Sequence, residues 1–125
     1  MYDPHDLHPN DVTSSAWAIA HARRFLADTE SPFEFSQAEI LAMLTAHAFT
    51  HDETVYYRPH VTAAALIASD PNRATAEWLL SAKVEGREPA IIAREIRASG
   101  AWIDDLIETA AGARPRSGRT LTPVF

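Results

Sequence analysis

The chain has 125 residues, of which 46% are hydrophobic and 22% are charged, and it contains no cysteine. This length suits a single domain, and the lack of cysteine excludes disulfides, thiolate nucleophiles and cysteine-based zinc sites. All seventeen acidic residues lie before residue 110 together with eight basic ones, which leaves this body with a net charge of −9 and makes it a poor surface for a nucleic-acid backbone.

The first ten residues contain two acids and two prolines. A signal peptide needs a basic start followed by an apolar run, so we expect none here. No later segment has the length of apolar sequence needed to cross a bilayer. We therefore expect a soluble protein that is not secreted, with residues 1–10 flexible.

Two helices are predicted next. Apolar residues recur at helical spacing from Val12 to Ala27, and the pattern then breaks. Ser36 and Glu39 have the spacing of a capping box, and Phe35 and Ile40 have that of a hydrophobic staple. A second helix is therefore expected to begin at Ser36.

The middle of the chain is less regular. Thr50 and Glu53 have the spacing of another capping box. Pro59 argues against one unbroken helix, so we expect a short helical turn, a kink near Arg58 and a helix to about Ala68. The predicted apolar stripe of that helix is Tyr57, Val61, Ala64, Ala65 and Ala68. Residues 74–86 remain ambiguous between helix and strand.

A last long helix is predicted to open at Pro89 and to stop at Gly112. Gly100 lies inside it and should cost about 1 kcal/mol relative to alanine, unless a close contact requires glycine. Beyond it the sequence has no periodicity. The predicted fold is all-α: a small bundle of about four to five helices over residues 1–112, with an extended C-terminal arm over residues 113–125.

The run 24–30, RFLADTE, is followed by the run 35–44, FSQAEILAML. This arrangement resembles the head–tail connector proteins of tailed bacteriophages, also called adaptor or head-completion proteins, in which a helix ends in such a turn and a capped helix follows. The alanine-rich run 56–71 and the run 89–98 resemble later helices of the family. Ala27 stands where the family would have glycine.

The resemblance implies a structural virion protein rather than an enzyme, with no cofactor and no metal. It implies a ring, dodecameric in the family, in the virion neck between the portal protein and the next neck or tail-completion protein, assembled in the host cytoplasm. DNA would pass through the channel without specific binding. The arm would dock on the portal through Arg114, Arg116, Arg119, Leu121, Pro123, Val124 and Phe125.

Two further sets of residues are candidates for contacts within such a ring. Interfaces favour Trp, Tyr and Arg, which selects Tyr56, Tyr57, Arg58 and Trp102 as a possible subunit interface. An acidic wall would keep DNA from sticking, and the last helix carries three acids that could face a channel: Asp104, Asp105 and Glu108.

Other functions remain open at this stage. The main alternative is a small helical DNA-binding regulator with a basic C-terminal tail, against which the acidic body counts. A metal protein or enzyme would need His47 and His51 on one helix, with His60, Asp52 or Glu53 completing the site. A helical dimerisation domain without other activity is the third alternative.

Overall fold

The structure is a computed structural model, and it describes residues 10–69 and 89–115. These residues form, in chain order, α1 (Ser15–Leu26), α2 (Gln37–Ala46), β1 (Phe49–His51), β2 (Thr54–Tyr56), α3 (Pro59–Ser69), α4 (Pro89–Ser99) and α5 (Ala101–Ala111). The protein is predominantly helical, as expected, but it is not all-α because it contains a two-stranded antiparallel sheet. The ambiguous segment 74–86 lies outside the described residues.

Helix α1 begins at a side-chain cap and ends in a left-handed residue. The Ser14 hydroxyl accepts a hydrogen bond from the Trp17 amide at 3.2 Å, which satisfies one of the free amides of the first turn. At the other end, Ala27 has φ 57° and ψ 35°, and its amide donates to carbonyls of the last turn. Such left-handed ends usually carry glycine, because a Cβ is strained there.

Helix α2 confirms the predicted capping box. The Ser36 hydroxyl accepts from the Glu39 amide at 3.0 Å, and the Glu39 carboxylate accepts from the Ser36 amide at 2.9 Å. Phe35 and Ile40 are both buried in the core, at 1% and 0% exposure. Residues on either side of the cap thus fix the direction in which the chain enters the helix.

A β-hairpin replaces the helical turn predicted after Thr50. Strands β1 and β2 pair antiparallel with Phe49 opposite Tyr56. The two residues between them, Asp52 and Glu53, have φ of 52° and 67°, as a type I′ hairpin turn requires. The expected second capping box is therefore wrong: alternating β-branched and aromatic residues outweigh the local cap signal, and the turn lacks the usual Asn-Gly pair.

Helix α3 begins at Pro59, as predicted, since proline suits the first turn. Its buried face differs from the predicted stripe: Ala68 is exposed, and Val61 and Ala65 are only half-buried. Ala64 of the predicted stripe does face the core, together with His60, Thr62, Ala63, Leu66 and Ile67. The stripe was misjudged because small residues cover most of this helix and dilute its apolar pattern.

The long last helix is in fact two helices that meet at Gly100. A Cβ at Gly100 would overlap the Cβ and Cγ of His60 in α3. The close contact with His60 therefore requires glycine at position 100, which is the exception anticipated from the sequence. The chain ends one helix at Ser99 and starts the next at Ala101, with Gly112 in left-handed conformation as the final stop.

Helix α3 is central to the described part of the fold. It packs against α1 on one side and α4 on the other, and α2 packs against α1 and α3. The core between these helices contains Trp17, Ile19, Leu26, Phe35, Ile40, Leu44, Ile67, Ile92, Ile96, Ile103 and Ile107. Over residues 10–69 and 89–115, no helix combines the length and apolar character that a membrane span needs.

Candidate functional site

The residues predicted to form a subunit interface do not share one environment. Tyr56 is 7% exposed and Arg58 is 6% exposed, so both lie inside the domain, and Tyr57 is half-buried. Trp102 is 39% exposed at the start of α5. Burial removes Tyr56 and Arg58 from a docking surface in this structure, and it leaves Trp102 as the exposed aromatic of the set.

Arg58 belongs to a buried charged cluster with Asp104 and His60. Its Nε donates to Asp104 Oδ1 at 2.9 Å and its Nη2 donates to Oδ2 at 3.0 Å, the paired geometry that suits a guanidinium and a carboxylate. His60 Nε2 lies 3.1 Å from Oδ2. Burial opposes ionisation of Asp104, but the hydrogen bonds from His60 and Arg58 outweigh it and lower the pKa of Asp104 to about 2.

The ionised Asp104 determines how the cluster works. An ionised carboxylate only accepts hydrogen bonds, so His60 carries its proton on Nε2. Nδ1 of His60 is buried and finds no hydrogen-bond partner among the described residues. Asp104 is 7% exposed and saturated by these contacts, so the expectation that it faces a channel is not met. The cluster links the start of α3 to α5, so its role is structural.

The other two predicted channel acids, Asp105 and Glu108, are exposed on α5. Both contact Arg114, the first residue of the predicted portal-binding set, whose Nη1 lies 3.0 Å from Glu108 Oε1 and also reaches Asp105. The hydrogen bonds that Arg114 donates, first to Asp105 and then to Glu108, raise the pKa of Arg114. The side chain of Arg114 thus holds the start of the arm close to α5, and Pro115 is buried. The remaining arm residues lie outside the described part: Arg116, Arg119, Leu121, Pro123, Val124 and Phe125.

A second buried ion pair, which the sequence did not predict, holds the loop between α1 and α2. Arg23 Nη1 donates to Asp28 Oδ2 and to the Phe35 carbonyl, each at 3.0 Å. Asp28 also accepts from the amides of Glu34 and Phe35 at 2.8 and 3.0 Å. The Arg23 guanidinium lies 3.9 Å from the centre of the Phe33 ring. Asp28 therefore links the two ends of the loop through these hydrogen bonds.

A buried histidine between two tryptophans was also missed. His21 on α1 lies 4.6 Å from the ring of Trp17 and 5.4 Å from that of Trp102. Its Nε2 has no hydrogen-bond partner in the described ranges. Burial, and secondarily the charge of Arg24, lowers the pKa of His21 to about 4. His21 is therefore a neutral ring that joins α1 to α5 at neutral pH.

The possible metal ligands are not assembled. His47 caps the C-terminal end of α2, whereas His51 lies in β1, so the two never share a helical face. His60 binds Asp104 instead. Across residues 10–69 and 89–115, no three side chains of metal-binding type come together.

A shallow groove runs between residues 10–13 and α5. Its volume is about 300 Å³, and Leu106, Thr109 and Ala110 form its helical wall. The opposite wall is held in place by two hydrogen bonds, from the Tyr57 amide to the Val12 carbonyl at 2.8 Å and from Trp17 Nε1 to Asn10 Oδ1 at 3.0 Å.

Comparisons with known proteins assign no function to this arrangement of residues. Comparison of the chain with protein-family models, with curated proteins and with solved structures finds no match.

Proposed function

We propose that the protein is a structural subunit of a phage neck, a head–tail connector that binds the portal and further copies of itself. The observation that carries this proposal is the conformation of Ala27. The resemblance expects glycine at this position, and the residue there has φ 57°. Glycine is the residue that adopts this conformation without strain. The backbone at Ala27 therefore has the conformation for which the glycine expected from the family is suited.

The rest of the resembling run also forms one structural unit. It contains the end of α1, the loop fastened by Asp28, and the capped start of α2. Asp28 accepts three hydrogen bonds there, from Arg23, Glu34 and Phe35. An acid at this position in the run therefore has a clear structural reason, as does Ser36 at the helix cap. These residues determine the local fold of the run, and we take this as support for the proposal.

The charge distribution favours a protein-binding role over the DNA-binding alternative. Arg23 and Arg58 are buried and paired with carboxylates, and Arg114 contacts two acids on α5. Cations engaged in this way are poorly placed to replace counterions on a phosphate backbone. The exposed acids Asp105 and Glu108 would further repel DNA, which suits a conduit through which DNA slides.

Ring formation by this chain would use a surface different from the one expected from the sequence. Trp102 is exposed and is the kind of side chain that anchors protein interfaces. A contact between unlike surfaces of identical subunits closes into a ring when the rotation between them permits. We infer that Trp102 belongs to such a contact between copies of the chain, whereas Tyr56 and Arg58 support it from within.

Co-purification tests this proposal at the level of binding. The full chain is co-expressed with the portal protein encoded in the same genome, and the two are separated by size. We expect both proteins in one large particle, and we expect Trp102→Ala to weaken this association, while Ala98→Ser, a change at an exposed site on α4, leaves it intact. A genome without a portal gene, or a chain that stays separate from the portal, would contradict the proposal.

A further inference from the structure

We propose that the groove between residues 10–13 and α5 binds the C-terminal arm of the same chain, so that the free subunit keeps its arm folded against itself. The groove is bounded by Leu106, Thr109 and Ala110 on the helix and by the segment around Val12 on the other side. Its volume of about 300 Å³ equals that of roughly ten water molecules in the liquid. A space of this size suits apolar side chains rather than a single bridging water.

The path of the chain brings the arm to this groove. The Arg114 side chain contacts Asp105 and Glu108, and Pro115 is buried, so the described part of the chain ends close to α5. Ten residues follow Pro115. They can span at most about 33 Å when fully extended, whereas Leu106 to Ala111 covers only about 8 Å of helix. The arm is therefore long enough to reach every part of the groove.

The chemistry of the arm matches that of the groove. Leu121, Val124 and Phe125 provide apolar side chains near the end of the arm, and Val12, Leu106 and Ala110 provide apolar surface in the groove. Hydrogen bonds from the Thr13 side chain and backbone lower the pKa of Asp11, so the groove wall carries a negative charge.

Two more acids, Asp105 and Glu108, lie on the adjacent face of α5. Three acids thus stand near the groove, and the arm carries three arginines: Arg114, Arg116 and Arg119. Opposite charges of this kind orient an approaching segment and favour its binding. An extended basic segment with an apolar end is therefore the occupant that the groove fits.

Docking of the arm in this groove does not depend on the connector role. If that role is also correct, the portal competes with the groove for the same arm, and assembly releases the arm from the subunit. The arm would then bind the portal only after losing its contacts with the groove. This loss disfavours premature association of free subunits.

Limited proteolysis of the full chain tests the docking. Trypsin can cut the arm after Arg116 and after Arg119, and the comparison substrate is a synthetic peptide of residues 113–125. We expect cleavage of the arm in the protein to be at least about tenfold slower than cleavage of the peptide, because cleavage follows the population of the undocked arm. Equal rates would overturn the proposal.

Two variants separate docking from other sources of protection. Ala110→Arg fills the groove and repels the arginines of the arm, so its arm should be cut at the peptide's rate; Ala98→Arg adds the same side chain at an exposed site on α4 and should remain protected. Phe125→Ser leaves the groove intact and should also speed cleavage, which covers the case that Ala110→Arg unfolds. Continued protection in Phe125→Ser would contradict the proposal.

Dilution distinguishes docking on the same chain from docking on a second copy. Protection that stays constant as the protein is diluted is expected for an intramolecular contact. Protection that disappears on dilution would assign the groove to the arm of another copy and would overturn the proposal as stated. Because the assay contains no portal, its outcome is independent of the connector role.

Discussion

Arg58 and Asp104 form a two-point ion pair across 46 positions of the chain, with Nε and Nη2 of the arginine 2.9 and 3.0 Å from the two carboxylate oxygens. The pair joins the end of the hairpin to α5, and His60 at the start of α3 binds the same carboxylate. All three residues are at most 7% exposed. The packing of the last helix therefore depends on a charged contact inside the domain.

Asp104→Ala should destabilise the protein by about 3 to 5 kcal/mol, because it leaves the Arg58 charge buried without its partner. Chemical denaturation by urea measures this change. Asp105→Ala is the matched control: Asp105 is the neighbouring acid but is exposed, and its loss should change the free energy of unfolding by about 0.5 kcal/mol or less. Equal losses of unfolding free energy in the two variants would show that the buried pair contributes no more to stability than the exposed acid does.

Gly100→Ala should destabilise the protein by about 2 kcal/mol, because the added Cβ overlaps the side chain of His60 and forces α3 away from the junction of α4 and α5. Within an ordinary helix the same change would stabilise by about 1 kcal/mol, so the sign of the effect is diagnostic. Thermal unfolding followed by circular dichroism gives that sign. A raised melting temperature would mean that the close approach of Gly100 to His60 is wrong.

Ala27→Gly should stabilise the protein by about 1 kcal/mol, since glycine adopts the left-handed conformation of residue 27 without the strain of a Cβ. Ala42→Gly provides the opposite control. Ala42 is exposed in the interior of α2, where glycine should cost about 1 kcal/mol. Urea unfolding of both variants compares them directly, and a loss of stability in both would contradict a left-handed Ala27.

The stability of the protein should fall between pH 6.5 and about pH 4 because of His21. Burial lowers its pKa from 6.5 to about 4, so in this window the unfolded chain binds a proton that the folded chain does not. The free energy of unfolding therefore decreases as the pH falls, by on the order of 2 kcal/mol once screening by solvent is allowed for. The full contribution is present above pH 6.5.

His21→Leu removes this titration while keeping an apolar side chain between Trp17 and Trp102. Urea unfolding at several pH values should give a shallower pH dependence for the variant than for the original protein. Asp104, with its pKa near 2, loses its contribution only below about pH 4, so the two effects fall in separate windows. The same slope in both proteins from pH 6.5 to 4 would contradict a buried neutral His21.

Local signals in the sequence predicted the helix boundaries well. The Ser36–Glu39 cap, the start of α3 at Pro59 and the stop at Gly112 each depend on residues close together in the chain. A cap or a proline acts on its own turn, so its effect is readable from neighbouring residues. The hairpin was missed because Asp52 and Glu53 are unusual residues for a turn with two positive φ angles.

Contacts between distant residues were not predictable in this way. Nothing near Asp104 in the sequence distinguishes it from Asp105, yet one is buried against Arg58 and the other is exposed. Only the contacts of Asp104 with Arg58 and His60, which are distant in the sequence, decide which acid points inward. The same holds for Gly100, whose role depends on His60, and for His21, whose neighbour Trp102 lies on another helix.

Electron cryomicroscopy of the chain bound to the portal protein of the same genome tests the central claim most directly. The connector role predicts a closed ring of this chain on one face of the portal, coaxial with its channel and, following the family, with twelve-fold symmetry. The same images should show an open central passage wide enough for duplex DNA. One or two copies attached off the axis, or no complex while the chain binds duplex DNA at physiological salt, would contradict the account.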